Sequence, residues 1–250
     1  MIISIINHSH GKVSDAELQC VIRAINRQIN EDFKPYWSLG ATLRLEGRSL
    51  ERPGAHLVDM RGDAVIYIVD QLKRDGTKGV HDKNYKGIPY GFVYLDIASE
   101  LSEPWSVPLS HEALELIGDA EVNLLVAGPH PDPGKKRDVF HWYEMCDAVQ
   151  AESYEIDGVR VSNFILPLYF TGSDEYQGRN DFLGTITKGK KTLRSFGVNP
   201  GGYIGFFDPR TGKHHTYYSP DDLESEKRMK IKSQMKGTRR AIRYQRKKKK

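Results

Sequence analysis

Apolar residues recur along the chain with two periods, one typical of strands and the other typical of helices. Continuous apolar runs at residues 2–6 and 64–69 predict two buried strands, and alternation at residues 41–45 predicts a third. Apolar residues at helical spacing over residues 15–33, preceded by a capping box that begins at Ser14, predict a long amphipathic helix. The N-terminal region is therefore expected to alternate strands with a helix.

The pattern changes to strands and turns further along the chain. Residues 89–97 predict an edge strand because a proline opens the run. Residues 70–88 are charged and contain glycine, which favours a mobile loop. An Asp-Gly turn predicts a hairpin at residues 154–161, and residues 203–207 and 214–218 flank another turn. Strands followed by a second helix and then hairpins predict an α+β fold.

The second helix, around residues 110–119, carries the candidate chemistry. It places four ionisable side chains inside one sector of about 100°, and apolar residues lie on the opposite side. The ionisable residues are His111, Glu112, Glu115 and Asp119. Imidazole nitrogen and carboxylate oxygen are ligands of divalent metals. A His-Glu pair with a second ligand one turn later is the layout of H-E-x-x-H metallohydrolases, with Glu115 in place of the second His. The alternative is a charged helix face that is only solvated. Both nearby prolines, Pro104 and Pro108, are expected before the helix rather than inside it.

Composition narrows the class of protein. The 250 residues include 38% hydrophobic and 10% aromatic residues, which is ordinary for a globular protein. No apolar run approaches the roughly 20 residues of a membrane span, and the N-terminus lacks the basic start of a signal peptide. Two cysteines, Cys20 and Cys146, form no disulfide framework. We therefore expect a cytoplasmic protein with no membrane partner.

Charge is distributed unevenly along the chain. The net charge is +4, but residues 227–250 carry 13 of the 37 Lys and Arg residues and no acid. The rest of the chain then has 24 bases against 33 acids. Such a tail favours binding to nucleic acid or another polyanion, and a solubilising tail is the alternative. The residues expected to bind the polyanion are Arg239, Arg240, Arg243, Arg246, Lys247 and Lys248.

Several short motifs occur together in a recognisable order. They are Asn7-His8-Ser9 with Val13-Ser14-Asp15, Val80-His81-Asp82, Pro89-Tyr90-Gly91-Phe92-Val93, Ser110-His111-Glu112 with Glu115 and Asp119, Glu144-Met145-Cys146-Asp147, and Ile156-Asp157-Gly158-Val159 with Val161-Ser162-Asn163-Phe164. This set resembles a family of zincin-like metallopeptidases of bacteria and phages, over roughly residues 1–170. The resemblance implies a zincin-like α+β fold: a mixed twisted sheet, a long N-terminal helix and an active-site helix with H-E-x-x-E. Residues 171–222 would then form a hairpin-containing extension and residues 223–250 a basic, mobile tail.

The roles of the site residues follow from zinc chemistry and from this resemblance. A catalytic zinc ion has three protein ligands and a water. His111 and Glu115 can reach one ion, and the resemblance makes Glu144 the first choice for the third ligand. Asp119 is either an alternative ligand or a residue that orients His111 by a hydrogen bond, and Asp147 is a second candidate for such an orienting residue. Glu112 would be the general base.

The same ligand set indicates which metal ion would bind and which reaction the site could catalyse. One His and two carboxylates form a hard, anionic site that favours zinc but accepts manganese, magnesium or calcium. We therefore expect a metal-dependent peptidase or amide hydrolase acting on a peptide or protein substrate. Anionic ligands also offset the charge of the metal and so lower its Lewis acidity. The alternative is a catalytically inactive zincin-like module that docks to nucleic acid or an acidic partner through the basic tail.

Overall fold

A parallel four-stranded sheet occupies the N-terminal part of the chain. The computed structural model describes residues 1–46, 62–71, 88–172, 178–185, 192–218 and 222–233. The strands are β1 (Ile2–His8), β2 (Thr42–Leu45), β3 (Ala64–Val69) and β4 (Tyr90–Tyr94), in the spatial order β2-β1-β3-β4. All neighbouring pairs are parallel, and β4 lies at an edge as the proline before it predicts.

Helix α1 (Asp15–Arg27) crosses from β1 to β2. Its N-cap is Ser14, whose Oγ accepts a hydrogen bond of 3.1 Å from the N–H of Glu17. The chain continues helically through a π-helical turn (Gln28–Phe33) into the short helix α2 (Lys34–Trp37). The long N-terminal helix is thus confirmed, although its last part changes its hydrogen-bond pattern at Gln28.

Antiparallel pairing dominates the second half of the chain. Strands β5 (Leu125–Pro129), β6 (Asp138–Trp142), β9 (Ile204–Asp208) and β10 (Lys213–Tyr217) form one sheet, in the order β10-β9-β6-β5. Strands β7 (Ser153–Ile156) and β8 (Val159–Ser162) form the predicted hairpin. Its turn residues Asp157 and Gly158 have φ of 52° and 77°, as a type I′ turn requires.

The architecture is a mixture of helices and several sheets rather than one mixed sheet. Parallel and antiparallel pairs lie in separate sheets. The helical crossover α1 joins the parallel strands β1 and β2, whereas shorter connections join the antiparallel pairs β5–β6 and β9–β10. The region predicted to be an extension, residues 171–222, supplies β9 and β10. These strands complete the sheet that β5 and β6 begin.

Helix α3 (Leu95–Glu100) and helix α4 (Ser106–Gly118) follow the edge strand. The strand predicted over 89–97 therefore ends early, at Tyr94, because Ile97 and Ala98 are buried on a helical turn. Helix α4 begins two residues before Pro108, so this proline lies inside the helix and not before it. A proline is tolerated there because the N–H groups of a first turn have no intrahelical acceptor.

Helix α4 is packed on several sides and is not a solvated surface helix. It contacts β3 and β4 of the parallel sheet and β8 of the hairpin. The exposed fractions of His111, Glu115 and Asp119 are 5%, 4% and 2%. Three ionisable groups are therefore held inside the protein, which excludes the interpretation that this helix face is only solvated.

Helix α5 (Leu223–Ser233) lies in the region expected to be a mobile tail. Ser225 is buried and its hydroxyl donates to the carbonyl of Gly202 (2.9 Å). Arg228 is also buried, and its Nη1 lies 3.4 Å from Glu103 Oε1. The beginning of the tail thus packs on the body of the protein.

Some predictions fall on residues that the structure does not describe. They are most of the loop at 70–88, the motif Val80-His81-Asp82 and the six tail residues expected to bind a polyanion. Within the described ranges, no helix has both the length and the apolar character needed to cross a membrane.

Candidate metal centre

Helix α4 supplies two potential ligands one turn apart. His111 Nε2 lies 3.1 Å from Glu115 Oε1. The spacing follows from the helix itself, because residues i and i+4 share a face. Both side chains point into packed protein, and Glu115 Oε1 accepts no hydrogen bond from the described residues.

The segment after β6 brings two more carboxylates to the same place. Glu144 and Asp147 lie 33 and 36 positions beyond His111 in the chain, and their exposed fractions are 8% and 7%. Asp147 opens a 3₁₀ turn (Asp147–Val149), and its Oδ1 lies 3.3 Å from His111 Nε2. Glu115, Glu144 and Asp147 each offer a ligand atom within 4.8 Å of the other two. The structure therefore gathers one imidazole and three buried carboxylates.

Glu112 and Asp119 occupy different positions relative to this cluster. Glu112 is half-buried, and one of its oxygens lies within 4.8 Å of ligand atoms of His111 and Glu115. The carboxylate of Asp119 instead accepts hydrogen bonds of 3.1 Å from the N–H groups of Asn123 and Leu124. Asp119 thus fastens the end of α4 to the turn before β5, and it belongs to neither potential ligand group among the described residues.

A cavity of about 40 Å³ opens beside His111 and Glu112. Its wall is mostly apolar, with contributions from β4, α3 and the start of α4, and it also includes Tyr94, Gln150 and Arg228. Burial raises the pKa of Tyr94, and the negative charge of Glu112 raises it further. Glu112 therefore lies next to both the buried ligands and the cavity.

A buried polar network holds the α4 side of the cluster. The hydroxyl of Ser110 donates to Gln28 Oε1 (2.6 Å) and accepts from the N–H of Ser162 (3.1 Å). Gln28 Nε2 donates to the carbonyl of Ser162 (2.8 Å). All three residues have an exposed fraction of 0%. The network ties α4 to the π-helical turn and to β8 immediately before His111.

The loop at 199–203 supports the segment that carries Asp147. The N–H of Tyr203 donates to the carbonyl of Asp147 (3.0 Å), and the N–H of Asn199 donates to that of Ala148 (3.0 Å). A Cβ on Gly202 would overlap the backbone carbonyl of Ala148, so only glycine permits this close approach. The sequence prediction missed these supporting residues. Gln28 alone carries a visible signal, because it is a polar residue between the apolar residues Ile25 and Ile29 of the N-terminal helix.

The donor set fits a divalent cation. In a tetrahedral site with metal–ligand distances of about 2.0–2.2 Å, neighbouring ligand atoms lie about 3.3–3.6 Å apart. The distances from His111 Nε2 to Glu115 Oε1 and Asp147 Oδ1 are 3.1 and 3.3 Å, close to that spacing. Burial raises the pKa of the adjacent Cys146 thiol well above the usual range, and the charge of Glu115 raises it further.

His141 belongs to neither group of potential ligands in the described part of the chain. His141 contributes Nε2 to a 2.8 Å hydrogen bond with the carbonyl of Pro129 and packs on Phe196, with ring centroids 4.5 Å apart. Burial lowers the pKa of His141 to about 4, so its ring is neutral at pH 7. Among the described residues, both groups of three potential metal ligands contain Glu115. Comparison of the chain with protein-family models, curated proteins and solved structures found no match.

Proposed function

We propose that the protein is a zincin-like, metal-dependent hydrolase of peptide or amide bonds. Zinc is the preferred ion, and manganese, magnesium or calcium can replace it. The observation that carries the proposal is the buried cluster of His111, Glu115, Glu144 and Asp147, with Glu112 on its open side. Ionisable groups are rarely buried together without a function, because desolvating their charges is unfavourable.

Each residue has a distinct part in this proposal. His111 and Glu115 hold the ion from α4, and Glu144 and Asp147 hold it from the segment after β6. When bound, the ion supplies Lewis acidity toward the carbonyl of the substrate. Glu112 accepts the proton of the attacking water, because it is the carboxylate that reaches both the ligand cluster and the cavity.

The position of β4 supports a peptide substrate. This strand is the last one of the described parallel sheet and contributes Phe92, Val93 and Tyr94 to the cavity wall. An extended peptide can add to such an edge by backbone hydrogen bonds. The cavity would then accept a side chain next to Glu112, and its apolar wall favours an apolar one.

A second function is favoured by the charge of the C-terminal region. The 13 basic residues of 227–250 can bind nucleic acid or another polyanion, and they could dock a protein whose metal centre has little activity. Glu115 in place of a second His favours this alternative, because an additional anionic ligand weakens the ion as a Lewis acid.

Metal analysis combined with one substitution separates the two functions. Protein purified without added metal is analysed by mass spectrometry and then tested on a quenched fluorescent peptide library. For a hydrolase, Glu112→Gln should retain the metal and lose cleavage, whereas the exposed control Glu155→Gln should retain both. A wild-type protein that takes up no divalent ion after loading would refute the proposal, and metal uptake without cleavage would favour the docking module.

A further inference from the structure

Potential ligands surround Glu115 in two groups rather than one. His111, Glu112 and Glu115 form the first group, and Glu115, Glu144 and Asp147 form the second. Within each group the ligand atoms lie within 4.8 Å of one another, and Glu115 belongs to both. We propose that the centre binds two divalent cations, with the carboxylate of Glu115 bridging them.

The first cation is the one of the proposed function. When two ions are bound, this first ion keeps His111 and Glu115, whereas Glu144 and Asp147 serve the second ion, which is new. Its ligands are the three buried carboxylates of Glu115, Glu144 and Asp147, whose exposed fractions are 4%, 8% and 7%. A carboxylate has two oxygens and can face one ion with each of them. Ions bridged in this way lie about 3.5–4 Å apart in two-metal hydrolases, a separation that two adjacent groups sharing one residue can accommodate.

Charge is the first reason for a second ion. Glu112, Glu115, Glu144 and Asp147 bring four negative charges around the single imidazole of His111. Carboxylates within 4.8 Å of one another repel, and the repulsion is strong in a buried site where water does not screen it. One divalent ion balances half of this charge, whereas two ions balance all of it.

The geometry of Glu115 is the second reason. Its Oε1 is buried, lies 3.1 Å from His111 Nε2 and accepts no hydrogen bond from the described residues. A ligand oxygen of the same side chain also lies within 4.8 Å of ligand atoms of Glu144 and Asp147. A carboxylate that belongs to two sets of potential ligands can bridge two ions, with one oxygen facing each ion.

The two positions differ in chemistry, which makes the inference specific. The first includes an imidazole nitrogen and therefore suits zinc or manganese. The second contains only carboxylate oxygens and suits a harder ion such as manganese, magnesium or calcium. With zinc and magnesium both present, we expect one ion of each kind per chain.

Manganese provides the direct test. Metal-free full-length protein is titrated with Mn²⁺ and followed by calorimetry and by electron paramagnetic resonance. We expect two Mn²⁺ per chain at saturation and an exchange-coupled spectrum, because the ions share Glu115. Asp147→Asn and His111→Ala should each retain one ion and lose the coupled spectrum. Glu115→Gln should weaken both sites.

The outcomes distinguish this inference from the proposed function on which it rests. Saturation at one uncoupled Mn²⁺ per chain in the wild type overturns the two-ion centre, even if the protein hydrolyses peptides. Complete loss of metal in both Asp147→Asn and His111→Ala, with circular dichroism unchanged, overturns it as well, since that result means a single shared site. Two coupled ions in a protein without hydrolysis support the inference and refute the proposed peptidase. The control Glu155→Gln, in the exposed hairpin, should bind two ions.

Discussion

Replacing Ser110 by alanine tests how helix α4 is held in place. The Ser110 hydroxyl is the only side-chain link described between α4, the buried amide of Gln28 and the backbone of Ser162. Ser110→Ala removes this hydroxyl but keeps the helix propensity favourable. It leaves Gln28 Oε1 and the N–H of Ser162 without the partner they have now, in a region that solvent does not reach.

The size of the effect follows from these two groups. Each buried polar group that loses its partner costs about 1–3 kcal/mol, so Ser110→Ala should lower the free energy of unfolding by about 2–6 kcal/mol. That is a large part of the roughly 5–15 kcal/mol of a typical domain. Because the network adjoins His111, the variant should also bind zinc more weakly.

Ser106→Ala is a matched control on the same helix. Ser106 also bonds to strand β8, but through one hydrogen bond, from its hydroxyl to the carbonyl of Arg160 (2.7 Å). Only one hydrogen bond is lost in this variant, so the loss should be about 1 kcal/mol. Urea unfolding of both variants in the metal-free state gives the comparison. If Ser110→Ala is no less stable than Ser106→Ala, the buried network does not position α4.

Three further predictions concern other parts of the protein. The pKa of His141 is about 4 in the folded protein and near 6.5 in the unfolded chain. Its neutral ring therefore stabilises the fold fully above pH 6.5, and this contribution is lost as the pH falls toward 4. Urea unfolding at both pH values should show a decrease of about 3 kcal/mol in the free energy of unfolding, and His141→Phe should lack this decrease. Gly202→Ala should displace the segment at Asp147 and so lower both the free energy of unfolding and the zinc affinity. The control Gly91→Ala should change neither quantity much, because its Cβ would lie 3.5 Å from the Glu112 carboxylate, an ordinary contact distance. Deleting residues 234–250 should weaken binding of RNA and DNA at low salt, make that binding less salt-dependent and leave the metal content unchanged; equal binding by both forms would contradict a polyanion-binding tail.

The elements with strong local signals could be predicted from the sequence. The apolar runs of β1 and β3, the capped helix α1 and the Asp157-Gly158 turn all depend on neighbouring residues, and the structure confirms them. The end of β4 could not be predicted in the same way. Tyr94 and Ile97 are both apolar and buried, and only packing against the rest of the fold decides that the second belongs to a helix.

The parallel direction of the strand pairs also could not be predicted from local sequence patterns. The alternation and apolar runs of strands indicate burial but not the direction of their neighbours. The crossover through α1 makes β1 and β2 parallel, whereas the pairing of β9 with β6 joins segments more than 60 residues apart. A division into a domain ending at residue 170 and a later extension therefore separates strands that share a sheet.

The candidate site shows where a helical pattern stops being informative. His111, Glu112 and Glu115 lie within α4, so a rotation of about 100° per residue places them correctly on one side. Asp119 appears in the same sector only if the helix continues, but α4 ends at Gly118 and Asp119 has φ of −145°. Its side chain leaves the helical direction and caps the following turn. Asp147 reaches His111 through tertiary structure alone, held by a backbone hydrogen bond from Tyr203. Helical periodicity thus identifies ligands that share one helix. A ligand from another segment is positioned by loop residues such as Tyr203, which are not themselves metal ligands and so give no signal in the sequence.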